Sequence, residues 1–417
     1  MAKRAKGKKT RAKAPGGRRH GNAGQGAGAV AVSSLPDLPS LRDLPAWEDL
    51  TPSPEQSSEL ARVCQELAEA GDAALEELCM GCVVRLDRGF PAIVTQGSLV
   101  RAEFATRLTK SDYSKVAVGD WVCVRLPSGH QMAQVMAILT RTNDIARWRG
   151  GSRGEKQTLA ANVGRVLVVQ ALGSDGVSLD RIARSALIAA DCHASVAVVL
   201  TKADRLSVAE LAKAVSSVRE LLGAEAPVVV TSSMDSGRFD ASQDSADFVT
   251  LDAMRQATES AGASWGYGHV AGLVPAGTVA IVLGESGAGK STLLNALLGH
   301  EALETGAVRT KDDAGRHSTV ARRMVRLPQG GIIVDEPGLR SLPIVGHERG
   351  LALLFPEVAE EAQRCRFRDC THTHEPGCAV REALETGACK PARVDAYVAL
   401  AQEMRSSASS LDPDIVL

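Results

Sequence analysis

A glycine-rich stretch two-thirds of the way along the chain has the residue types of a phosphate-binding loop. The segment GESGAGKSTLLNALLG (284–299) fits the pattern GxxxxGK followed by Ser or Thr, between an apolar run and an apolar helical stretch. Backbone N–H groups of such a loop surround phosphate oxygens, and the helix N-terminus adds positive potential. We expect Lys290 to reach the β- and γ-phosphates and the Ser291 hydroxyl to ligate Mg²⁺. The predicted phosphate-binding residues are Gly284, Glu285, Ser286, Gly287, Ala288, Gly289, Lys290, Ser291 and Thr292.

A carboxylate suited to the same metal follows this loop by about 45 residues. The apolar run IIV is followed by Asp335, with Gly338 completing the pattern DxxG. Asp335 can hold Mg²⁺ through water, and the backbone N–H of Gly338 can contact a γ-phosphate. DxxG alone is a weak pattern, but its position after a phosphate-binding loop predicts a nucleoside triphosphatase.

Two other apolar runs end in residues that can recognise a guanine base. The run VAVVL is followed by Thr201, Lys202 and Asp204, and the run VVV is followed closely by Ser232 and Ser233. A carboxylate accepts hydrogen bonds from guanine N1–H and N2–H₂, whereas adenine would leave it unpaired. The lysine stem can lie over the base, and the TSS segment can present a backbone N–H to guanine O6. These residues predict a guanine nucleotide.

The order of the motifs differs from that of an ordinary GTPase. There the phosphate-binding loop and DxxG precede the guanine-binding motifs, whereas here TKAD and TSS come first. A cyclic shift of this kind is feasible because the termini of a domain often lie close together. The sequence therefore predicts a circularly permuted P-loop GTPase domain that begins about 120 residues before the phosphate-binding loop.

The segments around these motifs have the pattern of an α/β domain. Apolar runs such as RVLVVQAL, SVAVVL and TVAIVL indicate strands buried on both faces of a parallel sheet. The stretches SLDRIARSALIAADC and SVAELAKAVSSVRELLG are suited to crossover helices. The predicted fold is a doubly wound sheet with the motifs at its strand ends.

A different pattern precedes this domain, between residues 81 and 139. Five short alternating runs, separated by turn residues, predict a small closed β-barrel of the OB-fold type. Cys79 and Cys82 form a CxxC at its start. Because no second pair accompanies them, we expect two buried thiols rather than a redox or metal pair.

Four potential metal ligands lie within 14 residues near the end of the chain: Cys365, Cys370, His372 and Cys378. Three cysteines and one histidine form a closed structural zinc set with no open position for catalysis. Spacing alone leaves His374 as an alternative to His372, and Cys389 is close enough to be a spare ligand. Zinc would replace the core that so polar a segment cannot build. Three arginines between and beside the ligands could face RNA: Arg364, Arg366 and Arg368.

Charge is distributed unevenly along the chain. Residues 1–20 carry nine Lys or Arg and no acid, although the whole chain has a formal charge of -1. We interpret this start as a disordered arm that binds nucleic acid, the alternative being a solubilising tail.

No apolar run reaches the ~20 residues needed to span a bilayer, and no signal peptide is evident. With an odd number of unevenly spread cysteines, we expect a cytoplasmic protein.

Together these residues resemble the circularly permuted ribosome small-subunit-dependent GTPases, the RsgA or YjeQ family. The resemblance covers roughly residues 81–405 and includes KQTLAANV, GESGAGKSTLLNALLG, GRHST, DEPG and CRFRDCTHTHEPGCAV. It implies an OB-fold, a permuted GTPase domain and a zinc-bearing helical domain that act in late small-subunit maturation. It also implies His372 rather than His374 as the zinc ligand. With Lys290, the implied catalytic residues are His317, which orients water, and Thr319, which senses Mg²⁺ and γ-phosphate.

The chain departs from the family pattern at several positions. Thr201 stands where Asn is commoner, Gly164 where Asp is usual, and Glu336 where a small hydroxyl residue is usual. Ser318 and Val320 occupy positions where the family tends to have Thr. None of these changes removes a phosphate-binding or magnesium-binding group, so the predicted activity stands.

We therefore expect a GTP hydrolase that binds the small (30S) ribosomal subunit and its rRNA during late maturation, with one zinc ion and with Mg²⁺ bound alongside GTP. The alternative is an RNA-binding assembly module that uses GTP only as a binding switch, with negligible turnover. We expect a monomer without membrane association. The predicted organisation is a basic, Pro- and Gly-rich arm and linker (1–54), a helical extension (55–78), an OB-fold (79–145), the permuted GTPase domain (146–342), a zinc-binding helical domain (343–405) and a tail (406–417).

Overall fold

The structure is a computed structural model of the chain. It describes residues 41–86, 90–109, 116–127, 132–149, 155–174, 176–233, 245–303, 322–335, 344 and 347–409. The basic arm lies outside the described residues. So do several positions singled out in the sequence: His317, Ser318, Thr319, Val320, Glu336 and Gly338.

A closed five-stranded barrel forms the first part of the described chain. Its elements and the helix before it are α1 (Pro54–Glu69), β1 (Leu78–Leu86), β2 (Pro91–Thr95), β3 (Leu99–Phe104), α2 (Thr106–Thr109), β4 (Trp121–Arg125) and β5 (Ala133–Ile138). The strand order is β1-β2-β3-β5-β4, and β4 returns to pair with β1. Strands β3 and β5 are parallel, whereas the other barrel pairs are antiparallel. This closed topology confirms the predicted OB-fold.

Helix α1 is fixed against the barrel by its first turn. Ser53 and Gln56 form a capping box, in which the Ser53 hydroxyl accepts from the Gln56 N–H and the Gln56 amide oxygen accepts from the Ser53 N–H. The buried Gln56 amide also donates to the carbonyl of Thr140 at 2.9 Å. The helix ends at Glu69, short of the predicted limit at Leu78, because Gly71 adopts a positive φ of 75° and turns the chain.

The second part of the described chain is the α/β domain. It contains β6 (Asp144–Arg149), β7 (Glu155–Ala161), β8 (Arg165–Ala171), α3 (Leu179–Asp191), β9 (Ser195–Thr201), α4 (Val208–Leu222), β10 (Val228–Val230), α5 (Ser245–Ser260), β11 (Ser264–Trp265), α6 (Tyr267–Gly272), β12 (Val279–Leu283), α7 (Lys290–Leu298), β13 (Arg322–Arg326) and β14 (Ile332–Asp335). Strands β6 and β7 form a separate antiparallel pair. The remaining strands lie in the order β11-β10-β9-β8-β12-β14-β13.

This sheet is parallel except for β13, which is antiparallel to β14. One face packs against residues of α3 and α4, and the other packs against residues of α6 and α7. Strand β12, which leads into the phosphate-binding loop, lies between β8 and β14. The carboxyl ends of the parallel strands therefore meet at one edge, where ligands of doubly wound sheets bind.

The barrel and the α/β sheet are joined by backbone pairing. Strand β1 of the barrel is antiparallel to β13, with Arg85 opposite Arg323 and Leu86 opposite Arg322. Strand β13 thus has the barrel on one side and β14 on the other. The barrel strand β1 is therefore paired with the neighbour of β14, the strand that ends at Asp335.

Helices form the last part of the described chain: α8 (Glu348–Leu354), α9 (Pro356–Ala362), α10 (Ala379–Glu385) and α11 (Pro391–Ser409). Arg393 ties them to the α/β domain, because its guanidinium donates to the carbonyls of Leu221 at 2.7 Å and Leu354 at 2.8 Å and pairs with Glu357. Within the described ranges, every helix is too short or too polar to cross a membrane.

Candidate nucleotide site and metal cluster

The phosphate-binding loop connects β12 to α7 in a tight turn that depends on glycine. Gly287 and Gly289 have φ values of 82° and 88°, in the left-handed region that side chains disfavour. A Cβ atom on Gly284 would lie 2.4 Å from the backbone oxygen of Val169 in β8. The loop therefore keeps its backbone N–H groups clear of side chains, as phosphate binding requires.

Lys290 lies over this loop at the start of α7. Its ammonium donates to the carbonyls of Gly284 at 2.6 Å and Glu285 at 2.7 Å. Burial lowers the pKa of Lys290, while the charges of Asp335 and Glu285 oppose that shift. Glu285 in turn faces outward and pairs with Arg181 at 2.8 Å. The structure therefore holds the Lys290 ammonium against the phosphate-binding loop, and its contact with phosphates stays a prediction.

Asp335 ends β14 beside the same loop. Burial raises the pKa of its carboxyl, and the positive charges of Arg323 and Lys290 lower it. Ser291, half-buried in the first turn of α7, belongs to the same loop and helix start. A hydroxyl and a carboxylate are oxygen donors of the kind that Mg²⁺ prefers. The donor set therefore fits the metal.

The TKAD segment is tied directly to the phosphate-binding loop. The Thr201 hydroxyl donates to the carbonyl of Ala288 at 2.7 Å, and the Lys202 ammonium donates to the carbonyl of Gly287 at 2.5 Å. Lys202 adopts a left-handed conformation with φ of 60°, which directs the chain from β9 into the next turn. Although Thr201 stands where the family commonly has Asn, its hydroxyl still bridges the two loops.

Asp204 is oriented by the TSS segment. The buried Ser232 donates its hydroxyl hydrogen to the Asp204 carboxylate at 2.7 Å, and the Ser233 hydroxyl lies 3.5 Å from the same oxygen. Tyr267 donates to the Ser232 carbonyl at 3.2 Å. Sequence reasoning assigned TSS a backbone contact with guanine and missed this side-chain contact. It also missed Tyr267, because a lone tyrosine in a glycine-rich stretch carries no signal.

Among the described residues, the structure brings the TKAD, TSS and phosphate-binding segments and Asp335 to the same edge of the sheet. Their individual roles toward the nucleotide stay predictions. Those of His317, Thr319 and Gly338 rest on sequence, since these residues lie outside the described ranges.

The four predicted zinc ligands converge in the helical part of the chain. The ligand atoms of Cys365, Cys370, His372 and Cys378 all lie within 4.8 Å of one another. The Cys365 and Cys378 sulfurs are 3.9 Å apart, and each lies 3.5 Å from the His372 Nδ1 atom. Zn–S bonds of about 2.3 Å and Zn–N bonds of about 2.05 Å in a tetrahedron imply edges of about 3.8 and about 3.6 Å. The observed spacing fits a tetrahedral ion.

Burial by itself favours the uncharged forms of two ligands in the cluster, Cys370 and His372. Burial, with the neighbouring thiols, raises the pKa of Cys370 to about 12, and burial lowers the pKa of His372. A bound dication stabilises thiolates and neutral imidazole, the forms that act as ligands. The alternatives left open by spacing lie outside the cluster. His374 contacts Thr373 at 2.8 Å, and the Cys389 sulfur lies 3.9 Å from the Glu357 carbonyl.

Potential metal ligands outside this cluster take part in other contacts. Asp191 and His347 are joined by a 2.8 Å hydrogen bond, and Arg349 lies 3.5 Å from the same carboxylate, so they form an ion-pair group. Cys79 and Cys82 are free thiols, half-buried and buried respectively. Burial raises the pKa of both thiols, that of Cys79 to about 11. Three positions apart in β1, they point to opposite faces, as expected if they are not a redox or metal pair.

Comparison with known proteins agrees with this arrangement. The family model described as RsgA GTPase matches residues 138–248 and 255–345. Relatives named small ribosomal subunit biogenesis GTPase RsgA include one from Streptomyces coelicolor, 36% identical over 81% of this chain and 84% of its own. One from Opitutus terrae is 39% identical over 80% and 83%, and one from Xanthomonas axonopodis pv. citri is 34% identical over 90% and 92%.

Two solved structures share the fold. YjeQ from Thermotoga maritima matches with a TM-score of 0.55 and 21% identity, covering 79% of this chain and 99% of that one. YloQ, described as a circularly permuted GTPase, matches with a TM-score of 0.52 and 19% identity, covering 79% and 96%. The permuted order of strands, the joined loops and the long matches to relatives lead to one conclusion. This chain belongs to the RsgA family of circularly permuted GTPases and is a GTP hydrolase.

Proposed function

We propose that this GTPase binds the small ribosomal subunit in its GTP state and leaves after hydrolysis, during late maturation of the subunit. The observation that carries the proposal is the match to relatives named for small-subunit biogenesis over 80–90% of the chain. The matching span is too long for the GTPase domain alone. A protein that resembled these relatives only in its GTPase domain would match them over a shorter part of its chain.

In the proposed reaction the chain contributes positioning and charge. Asp204 and Lys202 hold the guanine, the loop N–H groups and Lys290 hold the phosphates, and Ser291 and Asp335 would hold Mg²⁺ together with Thr319. When bound, Mg²⁺ neutralises charge that develops on the phosphate oxygens. The residue after DEPG is Leu339, which cannot orient water. We assign that role to His317.

RNA contact is proposed for the surface around the metal cluster. Phe367 is a large apolar side chain that is 41% exposed, and the Arg366 guanidinium lies 5.5 Å from the centre of its ring. Arg364 and Arg368 are exposed nearby. Exposed arginines contact phosphates, and an exposed aromatic ring can stack on an unpaired base. The basic arm at residues 1–20 would add a further electrostatic contact.

Sedimentation with purified small subunits tests this proposal. We expect the chain to co-sediment in the presence of a non-hydrolysable GTP analogue and to be largely released with GDP. Only the GTP state offers a γ-phosphate to Gly338 and Thr319, the residues proposed to sense it, so the two nucleotides should favour different states. Large subunits serve as the control and should retain little protein. Equal binding to both subunits, or equal binding with both nucleotides, would contradict the proposal.

The metal cluster is proposed to hold one structural zinc ion per chain. Elemental analysis should find about one zinc in the wild-type protein and little in Cys370→Ser, since three ligands no longer close the tetrahedron. Cys389→Ser is the matched control, because that thiol lies outside the cluster. Loss of zinc from the control variant, or its retention in Cys370→Ser, would overturn the assignment.

A further inference from the structure

A buried arginine lies next to the carboxylate proposed to hold Mg²⁺. Arg323 in β13 is only 6% exposed, and an arginine so deeply buried is normally paired. It is the direct cross-strand partner of Asp335 in the antiparallel pair of β13 and β14. Directly opposite residues project their side chains on the same face of the sheet. Their opposite charges attract each other.

The guanidinium of Arg323 is held in one direction by a second contact. It donates to the carbonyl of Ala302 at 3.1 Å. Ala302 is itself fixed, because Asn295 in α7 accepts from the N–H groups of Ala302 at 3.0 Å and Leu303 at 2.9 Å. Asn295 is buried and also donates to the Leu303 carbonyl at 2.9 Å. Arg323 is thereby connected to the helix that begins at the phosphate-binding loop.

The position of Arg323 complements that of Lys290. Both cations act on Asp335, but the lysine is the residue proposed to bind phosphates. Once Lys290 contacts a nucleotide, the Asp335 carboxylate keeps Arg323 as its neighbouring cation among the residues that the structure describes. A buried carboxylate without its cation is unfavourable and would turn away.

We propose that Arg323 is a positioning residue that holds the Asp335 carboxylate in the orientation needed for Mg²⁺. This inference rests on the proposed role of Asp335. The pairing of β1 with β13 contributes to this role, because the barrel strand β1 helps to fix the backbone of Arg323. The contact with Ala302 holds the guanidinium in one direction, so that its charge acts on the carboxylate from a fixed position.

The test measures affinity for a non-hydrolysable GTP analogue with and without Mg²⁺, so that the readout is binding rather than turnover. For Arg323→Gln we expect the affinity without Mg²⁺ to be unchanged. The gain in affinity produced by Mg²⁺ should fall about tenfold, the order of effect expected when a buried carboxylate loses the attraction of a nearby cation. Arg323→Lys keeps the charge without the planar fork and should lie between wild type and Arg323→Gln.

The matched control is Arg326→Gln, on the same strand but on its opposite face, where the arginine pairs with Asp49. In this control variant Mg²⁺ should increase the nucleotide affinity as much as it does in the wild type. Asp335→Asn tests the role of Asp335 separately from that of Arg323. If Mg²⁺ increases the nucleotide affinity of this variant as much as that of the wild type, Asp335 does not hold the metal. If Asp335→Asn loses the gain while Arg323→Gln keeps or increases it, the role of Arg323 is overturned. Should Arg323→Gln fail to fold, Arg323→Lys decides: a reduced gain supports the role and a wild-type gain refutes it.

Discussion

Asp204→Asn is expected to lower affinity for GTP about 100-fold and to favour xanthosine nucleotides. In its proposed role the carboxylate would accept two hydrogen bonds from guanine, whereas an amide would present a donor to one of the same positions. Xanthine carries a carbonyl where guanine carries its amino group, so the amide can meet it. Ser232 holds the Asp204 side chain at 2.7 Å and can hold the amide oxygen in the same way. Equilibrium binding of labelled GTP, ATP and xanthosine triphosphate would measure the change.

The control for this variant is Asp252→Asn, which makes the same chemical change at an exposed position in α5, outside the TKAD, TSS and phosphate-binding segments. It should bind all three nucleotides as the wild type does. If the wild type binds ATP as tightly as GTP, or if Asp204→Asn keeps its preference for GTP, Asp204 is not the base-reading residue.

His317→Ala is expected to bind GTP and small subunits normally and to lose most subunit-stimulated hydrolysis. We propose that subunit binding brings this histidine to the γ-phosphate, where it orients the attacking water. Removal of a positioned group of this kind costs about 100-fold or more in rate. Thr319→Ala should impair both the stimulation and the response to the γ-phosphate. Single-turnover hydrolysis on saturating small subunits isolates this step from product release.

His193→Ala is the matched control for the histidine, because His193 is exposed just before β9, at the end of the strand opposite TKAD. It should hydrolyse GTP at the wild-type rate. Wild-type stimulated turnover in His317→Ala would show that another group positions the water. A loss of GTP affinity in that variant would instead place the histidine in nucleotide binding.

The strand-end motifs could be predicted because each is a short polar run directly after a buried apolar strand. In a parallel sheet the carboxyl ends of such strands share one edge, so TKAD and the phosphate-binding loop had to meet despite their separation in sequence. The contacts of Thr201 and Lys202 with the loop are the structural result. The metal cluster was predictable because its four ligands are local, and the family resemblance, not spacing, selected His372.

Contacts between distant elements could not be predicted in the same way. The pairing of β1 with β13 joins strands more than two hundred residues apart, and no local pattern encodes which edges meet. Arg323 reads as an ordinary charged residue of a short strand until its cross-strand partner is known. The end of α1 was predicted too late in the chain because apolar spacing continues past Gly71, whose positive φ stops the helix.

The most direct measurement of the central proposal is phosphate release over many turnovers, with and without purified small subunits, for GTP and for ATP. We expect slow release from GTP alone, an increase of at least about tenfold when small subunits are added, and no comparable increase with ATP. If GTP binds but phosphate release stays negligible with small subunits present, the chain uses the nucleotide only as a binding switch, and hydrolysis as its function is contradicted.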